Sequence, residues 1–276
     1  MNPCSDQSGP PITVSVIMAS YNCASFLEAA VGSVLEQSFA DWELIISDDA
    51  STDDTLKLLP KLQSLDSRVH CITSSTNRGA AGARNAALAM ARGRYIAFLD
   101  SDDLWKPQKL ERQIEFMVRN QVAFSFSSYE RIDEAGAHRG FVRAPKSVSY
   151  RQLLFGNVVG CLTAVYDTSA FGKVEMPDIA MRQDYGLWLR LLKRTKHAVS
   201  LEESLGYYRL RSTSMSARKL RAAKFTWRLL REVEQLSFLK AIFYFGSYAI
   251  RGVWSHYGPR NEGRRGRWGR IVRNGE

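Results

Sequence analysis

The feature that most constrains the fold is a repeated alternation of short apolar runs with helix-like segments in the first 120 residues. Four runs rich in β-branched and aromatic residues are each followed by a stretch with apolar residues at helical spacing. Strand followed by helix, four times in succession, predicts a mostly parallel sheet with right-handed crossovers and flanking helices, an α/β fold. The predicted strands are residues 12–18, 43–47, 69–73 and 95–99.

The second half of the chain is less regular. Its predicted helices are residues 107–120, 150–155, 182–194 and 217–239, and its predicted strands are 123–129, 161–166 and 206–210. The apolar window 236–254 contains Lys240, Arg251 and several aromatic residues. We therefore expect it to pack on the protein or lie at an interface rather than to span a membrane.

The cysteines and the N-terminal residues indicate the cellular location of the protein. The four cysteines form no C-x-x-C pair, which favours reduced thiols and a cytoplasmic location over a zinc site or a disulfide framework. Residues 1–11 are polar and lack the basic start and apolar core of a signal peptide, so we expect a short disordered lead.

The charge of the chain is concentrated near its end. Residues 217–276 hold 14 Lys/Arg and 4 Asp/Glu, so they account for the whole net charge of +10. Such a segment suggests an anionic membrane surface or a nucleic acid as partner, and its sign does not choose between them. Residues 260–276 are rich in Arg and Gly and are expected to be disordered.

Clustered acids follow the fourth predicted strand. Asp100, Asp102 and Asp103, with Ser101 among them, come directly after the apolar run 95–99. Ligands bind at the carboxyl edge of open α/β sheets, and crowded carboxylates repel one another unless a cation such as a divalent metal lies among them. The alternative is a cap for the next helix, with residues 104–107 as its entry, but one acid suffices for a cap.

Polar groups at two other strand ends can join these acids. Residues 20–22, which are Ser20, Tyr21 and Asn22, follow the first strand, and Asp48 with Asp49 follow the second. The first group can shape a pocket, and carboxylates in the second can accept hydrogen bonds from a nucleobase imide and ribose hydroxyls. If a metal binds the acids 100–103, the three groups together suggest a nucleoside diphosphate as the ligand of this edge. The alternative for Asp48 and Asp49 is a polar turn.

Three further charged residues have both functional and ordinary interpretations. Arg78 and Arg84 could contact phosphate or brace the acids, and Arg84 could also make an ordinary helix salt bridge. Asp184 stands at a predicted helix start, where the macrodipole favours an acid, and it could also be a general base.

Five segments in this order and spacing resemble the inverting family 2 glycosyltransferases with the GT-A fold. They are residues 14–22, 43–55, 77–87, 93–109 and 182–192, and the resemblance covers residues 12–216. Residues 181–189 and 208–216 are most similar to the branch that builds bacterial cell-surface polysaccharides, the teichuronic-acid and exopolysaccharide type.

The resemblance implies roles for individual residues. It implies that Asp100-Ser101-Asp102 is the Asp-x-Asp motif, with Asp102 as the direct ligand of Mg²⁺ or Mn²⁺, and that Asp48 or Asp49 binds uracil and ribose. Asp184 would be the catalytic base. Arg211 stands near a position where many relatives carry His, and it could balance phosphate charge but could not ligate a metal.

The resemblance also implies an activity and a place in the cell. The reaction would be a single displacement that moves a sugar from a UDP-sugar to a hydroxyl of a lipid-linked saccharide, with inversion at the anomeric carbon. We expect a peripheral protein at the inner face of the bacterial cytoplasmic membrane, bound to anionic lipid through its basic C-terminal segment.

This interpretation divides the chain into a nucleotide-sugar half, an acceptor half and a basic extension. These would be residues 12–129, 130–216 and 217–259. Three alternatives remain at this point: a relative that binds nucleotide without activity, a nucleotidyltransferase, and a basic nucleic-acid-binding protein. We expect no nucleic acid partner, because the last alternative leaves the acids at the strand ends unexplained.

Overall fold

A computed structural model describes residues 13–211 and 219–257. The predicted disordered lead, 1–11, and basic tail, 260–276, lie outside these residues, as do residues 212–216 of the segment that carries the family resemblance.

One ten-stranded sheet organises the fold. Its strands are β1 Val14–Ser20, β2 Trp42–Asp48, β3 Val69–Thr73, β4 Tyr95–Phe98, β5 Leu104–Trp105, β6 Phe124–Ile132, β7 His138–Val142, β8 Ser147–Val148, β9 Val165–Asp167 and β10 Ala198–Arg209. The main strand order is β3-β2-β1-β4-β9-β6-β10-β5, with β7 added beside β6 and β8 beside β10. The predicted α/β class is therefore confirmed.

Strand directions differ between the two halves. The first half is parallel as predicted, because β1 pairs in parallel with both β2 and β4, and β2 with β3. In the second half β9 runs antiparallel between β4 and β6, while β6 and β10 are parallel. The short strands β5, β7 and β8 are also antiparallel to their neighbours, so the complete sheet is mixed.

Helices cover both faces of the sheet. They are α1 Ala24–Leu35, α2 Thr55–Leu65, α3 Gly79–Met90, α4 Lys109–Arg119, α5 Tyr150–Leu154, α6 Thr168–Phe171, α7 Gln183–Leu192, α8 Lys219–Arg228 and α9 Phe238–Tyr257. None of the helices within 13–211 and 219–257 is long and apolar enough to cross a membrane.

Alternate side chains of the central strands lie in two apolar cores, one on each face of the sheet. On β1, Val16 packs with Leu27 of α1, in a core that α2 and α4 also enter. Ile17, the next residue, belongs to a second core that contains Trp188 of α7 and Leu229 of the C-terminal extension. Both faces of the strand are buried, which explains why its sequence is apolar apart from Ser15 and the terminal Ser20.

Several sequence-based boundaries are wrong. Strand β10 begins at Ala198 rather than at residue 206. The polar and small residues 77–82 predict a loop, but helix α3 already begins at Gly79. Residues 161–163 of the predicted strand 161–166 form a 3₁₀ turn before β9. Leu104–Trp105 is a strand paired with β10 rather than the entry to a helix. The predicted helix 217–239 is broken, because α8 ends at Arg228 and a π-helical turn, Leu229–Val233, separates it from α9.

Gly93 allows β1 to approach the chain that leads into β4. A Cβ atom at this position would lie 2.4 Å from the backbone nitrogen of Ser15, whose Oγ accepts a hydrogen bond from the Gly93 N–H at 2.7 Å. We expect Gly93→Ala to lower the free energy of unfolding by about 2 kcal/mol, measured by urea titration, because overpacking forces the backbone apart. Gly32→Ala in helix α1 is the matched control, since its Cβ meets nothing within 4 Å. Its free energy of unfolding should rise slightly or stay unchanged.

Candidate active site

The carboxyl ends of β1, β2 and β4 meet at one edge of the sheet, as predicted. Ser20 is the register partner of Asp48, and the N–H of Leu99 donates to the carbonyl of Ile17 at 3.1 Å. The acids that follow Leu99 therefore start beside the end of β1. Their proximity results from parallel pairing of strands that are far apart in sequence.

The segments after β1 and β2 form one wall of this edge. The side-chain oxygen of Asn22 accepts a hydrogen bond from the N–H of Thr52 at 2.8 Å, and the Asn22 N–H donates to Oγ of Ser51 at 2.9 Å. Asn22 has a φ of 47°, a conformation that asparagine tolerates better than most residues. Tyr21 is half exposed beside it, so its ring is accessible to a ligand.

Asp48 takes part in a polar turn, which was the alternative to ligand contact in the sequence analysis. Its carboxylate is fully buried, and its two oxygens accept hydrogen bonds from the N–H and Oγ of Ser51 at 2.9 and 2.5 Å. Asp48 therefore holds the turn that positions this wall. Direct contact of Asp48 with a nucleobase stays a prediction.

Asp49 connects the same turn to α3. Its Oδ1 accepts a hydrogen bond from the N–H of Arg78 at 2.7 Å, and its carbonyl accepts one from the side-chain amide of Asn77 at 3.1 Å. The turn after β2 thus fixes the start of the helix that carries Arg84. Contact of Asp49 with a base, and of Arg78 with phosphate, also stay predictions.

Arg84 and Asp100 form an ion pair at the centre of the edge. The Arg84 side chain is 9% exposed and that of Asp100 is 27% exposed. Burial lowers the pKa of Arg84, but the neighbouring Asp100 more than offsets this, so the guanidinium is held charged. Nε and Nη1 of Arg84 are buried and have no hydrogen-bond partner in the described part of the chain. Buried donors without an acceptor are costly, so this arrangement suits a ligand that supplies oxygen atoms.

A second ion pair joins Asp102 to Arg211, which follows β10. Their side chains approach to 3.0 Å, and both are about a quarter exposed. Burial and the neighbouring Asp100 raise the pKa of Asp102, while Arg211 lowers it. Ser101, between the two acids, is buried, and its carbonyl accepts a hydrogen bond from Sγ of Cys23 at 3.2 Å.

Asp103 is a structural acid, and its partner Arg209 was missed in the sequence analysis. Oδ1 of Asp103 accepts the backbone N–H of Arg209 at 2.8 Å, and the Arg209 guanidinium donates to the carbonyl of Asp102 at 2.9 Å. Burial and the negative charges of Asp100 and Asp102 raise the pKa of Asp103. Arg209 thus attaches the acid segment to β10. Sequence offers only one signal for this, an arginine within the predicted strand 206–210.

Asp184 lies in the first turn of α7 and close to the same ion pairs. Its Oδ2 is 3.4 Å from the side-chain amide of Asn157, a contact that sequence did not indicate. Burial raises the pKa of Asp184, while the backbone N–H of Tyr185 and the charge of Arg84 act in the opposite direction. The residue as a whole is partly buried. A carboxylate with a raised pKa is a stronger base than an ordinary aspartate.

The edge offers a metal two carboxylates rather than a complete set of ligands. Within residues 13–211 and 219–257, no group of three His, Cys, Asp or Glu side chains is arranged to hold a metal ion. Asp100 and Asp102 are partly exposed and paired with arginines. Two carboxylate oxygens fit Mg²⁺ when a substrate diphosphate and water provide the remaining ligands.

Comparison with known proteins gives the family to which this fold belongs. The family described as Glycosyl transferase family 2 matches residues 15–169. The chain belongs to this family, and it is a glycosyltransferase with the predicted GT-A fold.

Two bacterial proteins illustrate the similarity. The Bacillus subtilis protein TuaG, named as a teichuronic acid biosynthesis glycosyltransferase, is 46% identical over 87% of this chain and 96% of its own. The Escherichia coli protein WfgD, named UDP-Glc:alpha-D-GlcNAc-diphosphoundecaprenol beta-1,3-glucosyltransferase, is 39% identical over 88% of this chain and 94% of its own.

A solved structure has the same fold at low sequence identity. Residues 1–349 of Staphylococcus aureus TarS, crystallised with UDP-GlcNAc, superimpose with a TM-score of 0.67 and 17% identity. The superposition covers 88% of this chain and 73% of the crystallised TarS fragment. At this identity the likeness concerns the fold alone.

Proposed function

We propose that the protein is an inverting glycosyltransferase that moves a sugar from a UDP-sugar to a hydroxyl of a lipid-linked saccharide during synthesis of a cell-surface polysaccharide. The observation that carries the proposal is the position of Arg84. It lies between Asp100 and Asp184 with two buried N–H donors lacking acceptors among the residues described.

The names of the relatives support the choice of substrates. WfgD is named for UDP-Glc as donor and a GlcNAc-diphosphoundecaprenol acceptor, and TuaG for teichuronic acid biosynthesis. The alignments cover 96% of TuaG and 94% of WfgD, so the similarity extends over nearly the whole length of both relatives.

The donor would lie along the carboxyl edge. The wall of Ser20, Tyr21 and Asn22 would face the base, with Asp48 or Asp49 as the acceptor for uracil and ribose. Arg84, Arg78 and Arg211 would place positive charge near the diphosphate, which gains negative charge as the sugar departs. Asp100 and Asp102 would hold Mg²⁺ or Mn²⁺, which when bound supplies further positive charge to the diphosphate.

Asp184 would accept the proton of the acceptor hydroxyl as that oxygen attacks the anomeric carbon. Attack from the face opposite the leaving diphosphate inverts the configuration. Asn157 would orient the carboxylate through its side-chain amide, since the two groups are already 3.4 Å apart. Burial raises the pKa of Asp184, which makes the ionised carboxylate a stronger base than an ordinary aspartate, and the backbone N–H of Tyr185 and the charge of Arg84 act in the opposite direction.

A transfer assay tests this function. Purified protein would be incubated with Mn²⁺, a GlcNAc-diphosphate-lipid acceptor and one member of a UDP-sugar panel, and the products would be analysed by mass spectrometry and NMR. We expect one donor to give a product longer by one sugar, with UDP released and the new linkage inverted. Release of pyrophosphate instead of UDP would indicate a nucleotidyltransferase, and a retained configuration would contradict the single displacement.

A further inference from the structure

Helix α9 has one face packed on the protein and one face exposed. Ala241 is buried, and Tyr244 and Phe245 pack against the second core. The opposite face bears four large apolar side chains, which are Phe238, Leu239, Ile242 and Phe243, exposed by 59, 79, 46 and 61%. Their spacing places them along one stripe of the helix, so they form a continuous apolar surface, here called the α9 outer face.

The α9 outer face is held in a fixed position. The side chain of Glu234, just before α9, is buried, accepts a hydrogen bond from the hydroxyl of Tyr150 at 2.5 Å and pairs with Lys193 at 2.8 Å. The ring of Trp227 contacts Phe238 and Phe245 edge-on, at 5.9 and 5.5 Å between centroids. The exposed apolar side chains are therefore displayed by a packed helix.

Positive charge borders this surface. A groove of about 380 Å³ runs between α5 and α9, lined by apolar side chains that include Leu154, Leu239 and Phe243, with Arg151 and Lys240 also in its lining. Both cations belong to residues exposed to solvent. An apolar stripe flanked by Lys and Arg matches the interface between lipid tails and anionic headgroups.

We propose that the α9 outer face and the adjoining groove dock on the surface of an anionic phospholipid bilayer. The apolar side chains enter the headgroup boundary, and Arg151 and Lys240 contact lipid phosphates. None of the helices within 13–211 and 219–257 could span the bilayer, so α9 lies along the surface. The net charge of +10, all accounted for by residues 217–276, favours an anionic membrane over another protein as the occupant.

The same surface is connected directly to Asp184. The chain leaves α5 at Leu154, beside the groove, and reaches Asn157, whose amide lies 3.4 Å from the Asp184 carboxylate. Docking would thus bring the base close to the bilayer, where the saccharide of a lipid-linked acceptor begins. In this respect the inference rests on the proposed function, whereas membrane binding itself can be measured without it.

Vesicle flotation of the full chain tests the docking surface. Wild-type protein would be compared with Leu239→Glu/Ile242→Glu on vesicles of phosphatidylglycerol and phosphatidylcholine and on vesicles of phosphatidylcholine alone. The control is Leu56→Glu/Leu65→Glu, because these leucines of α2 are also exposed, by 44 and 57%. Transfer to a water-soluble acceptor would be measured for all three proteins.

We expect wild-type and control proteins to float with the anionic vesicles, and the α9 variant to bind at least about tenfold less. Equal transfer to the soluble acceptor by all three would show that the α9 variant is folded, and its circular dichroism spectrum would show the same if no transfer is detected. Binding by the α9 variant as strong as wild type, or equal binding of wild type to neutral vesicles, would overturn the proposal. Absence of transfer in wild type with intact vesicle binding would count against the proposed function alone.

Discussion

Asp184→Asn is expected to lower kcat for sugar transfer by about 10³-fold, because asparagine cannot accept the proton of the acceptor hydroxyl. The side chains are nearly equal in size, so the contact with Asn157 and the packing of α7 should persist. Binding of UDP should remain within about twofold of wild type, since Asp184 acts on the acceptor. Initial rates at saturating donor, with UDP affinity from calorimetry, provide the measurement.

The control for this substitution is Asp178→Asn. Asp178 is an exposed carboxylate a few residues before α7, and its replacement removes the same charge without changing the edge. It should leave kcat unchanged. If Asp184→Asn retained more than a tenth of the wild-type kcat, Asp184 would not be the catalytic base.

Arg84→Met is expected to lower the free energy of unfolding by about 3 kcal/mol, because it leaves Asp100 and the neighbouring acids without their buried counter-charge. Adding Asp100→Asn to this variant should restore part of the loss, since the uncompensated carboxylate is then removed. Urea unfolding monitored by circular dichroism gives the free energies for the single and double variants.

Arg139→Met tests whether the effect depends on burial. Arg139 pairs with Asp133 at 2.6 Å, but its side chain is 58% exposed, so the pair is screened by water. Loss of this pair should lower the free energy of unfolding far less than loss of the pair between Arg84 and Asp100. Equal effects at the two sites would contradict a central, desolvated pair at the sheet edge.

Strands β1, β2 and β4 could be predicted because they are covered on both faces. A covered strand is a short apolar run that ends abruptly in polar residues. Strand β3 lies at the sheet edge with only Val69 buried, and its β-branched residues still predicted its observed bounds, Val69–Thr73. Strand β5 had no such signal, because two residues carry no periodicity. It forms where Trp105 pairs with Gly206, at which a Cβ atom would lie 2.9 Å from Leu162.

The break between α8 and α9 was also invisible in the sequence. Residues 217–239 keep helical spacing throughout, yet Gln235 has a φ of 53°, and the chain turns so that Ala241 reaches the second core. A tertiary contact therefore overrides local helix propensity. The apolar window 236–254 does pack on its own domain over Ala241, Tyr244 and Phe245, in keeping with one of the two expectations for it.

At the site, sequence indicated which residue types meet but not how they pair. Parallel strand order is sufficient to bring Asp48 and Asp100 to one edge. Whether an acid faces a ligand or braces a turn depends on local geometry, and Asp48 proves to accept both hydrogen bonds from Ser51. The pairing of Asp102 with Arg211, 109 residues away, depends on where β10 ends.

The most direct test of the central claim, that this sheet edge binds the nucleotide diphosphate, is thermal unfolding with UDP and Mn²⁺. Wild-type protein and Asp102→Ala would each be heated with UDP, with Mn²⁺, with both and with neither. At about 100 times its dissociation constant, a ligand that binds only the folded state stabilises by about 2.7 kcal/mol. We predict that UDP with Mn²⁺ raises the Tm of wild type clearly and that of Asp102→Ala little. An unchanged wild-type Tm at saturating nucleotide, or an equal rise in the variant, would contradict the assignment of this edge as the donor site.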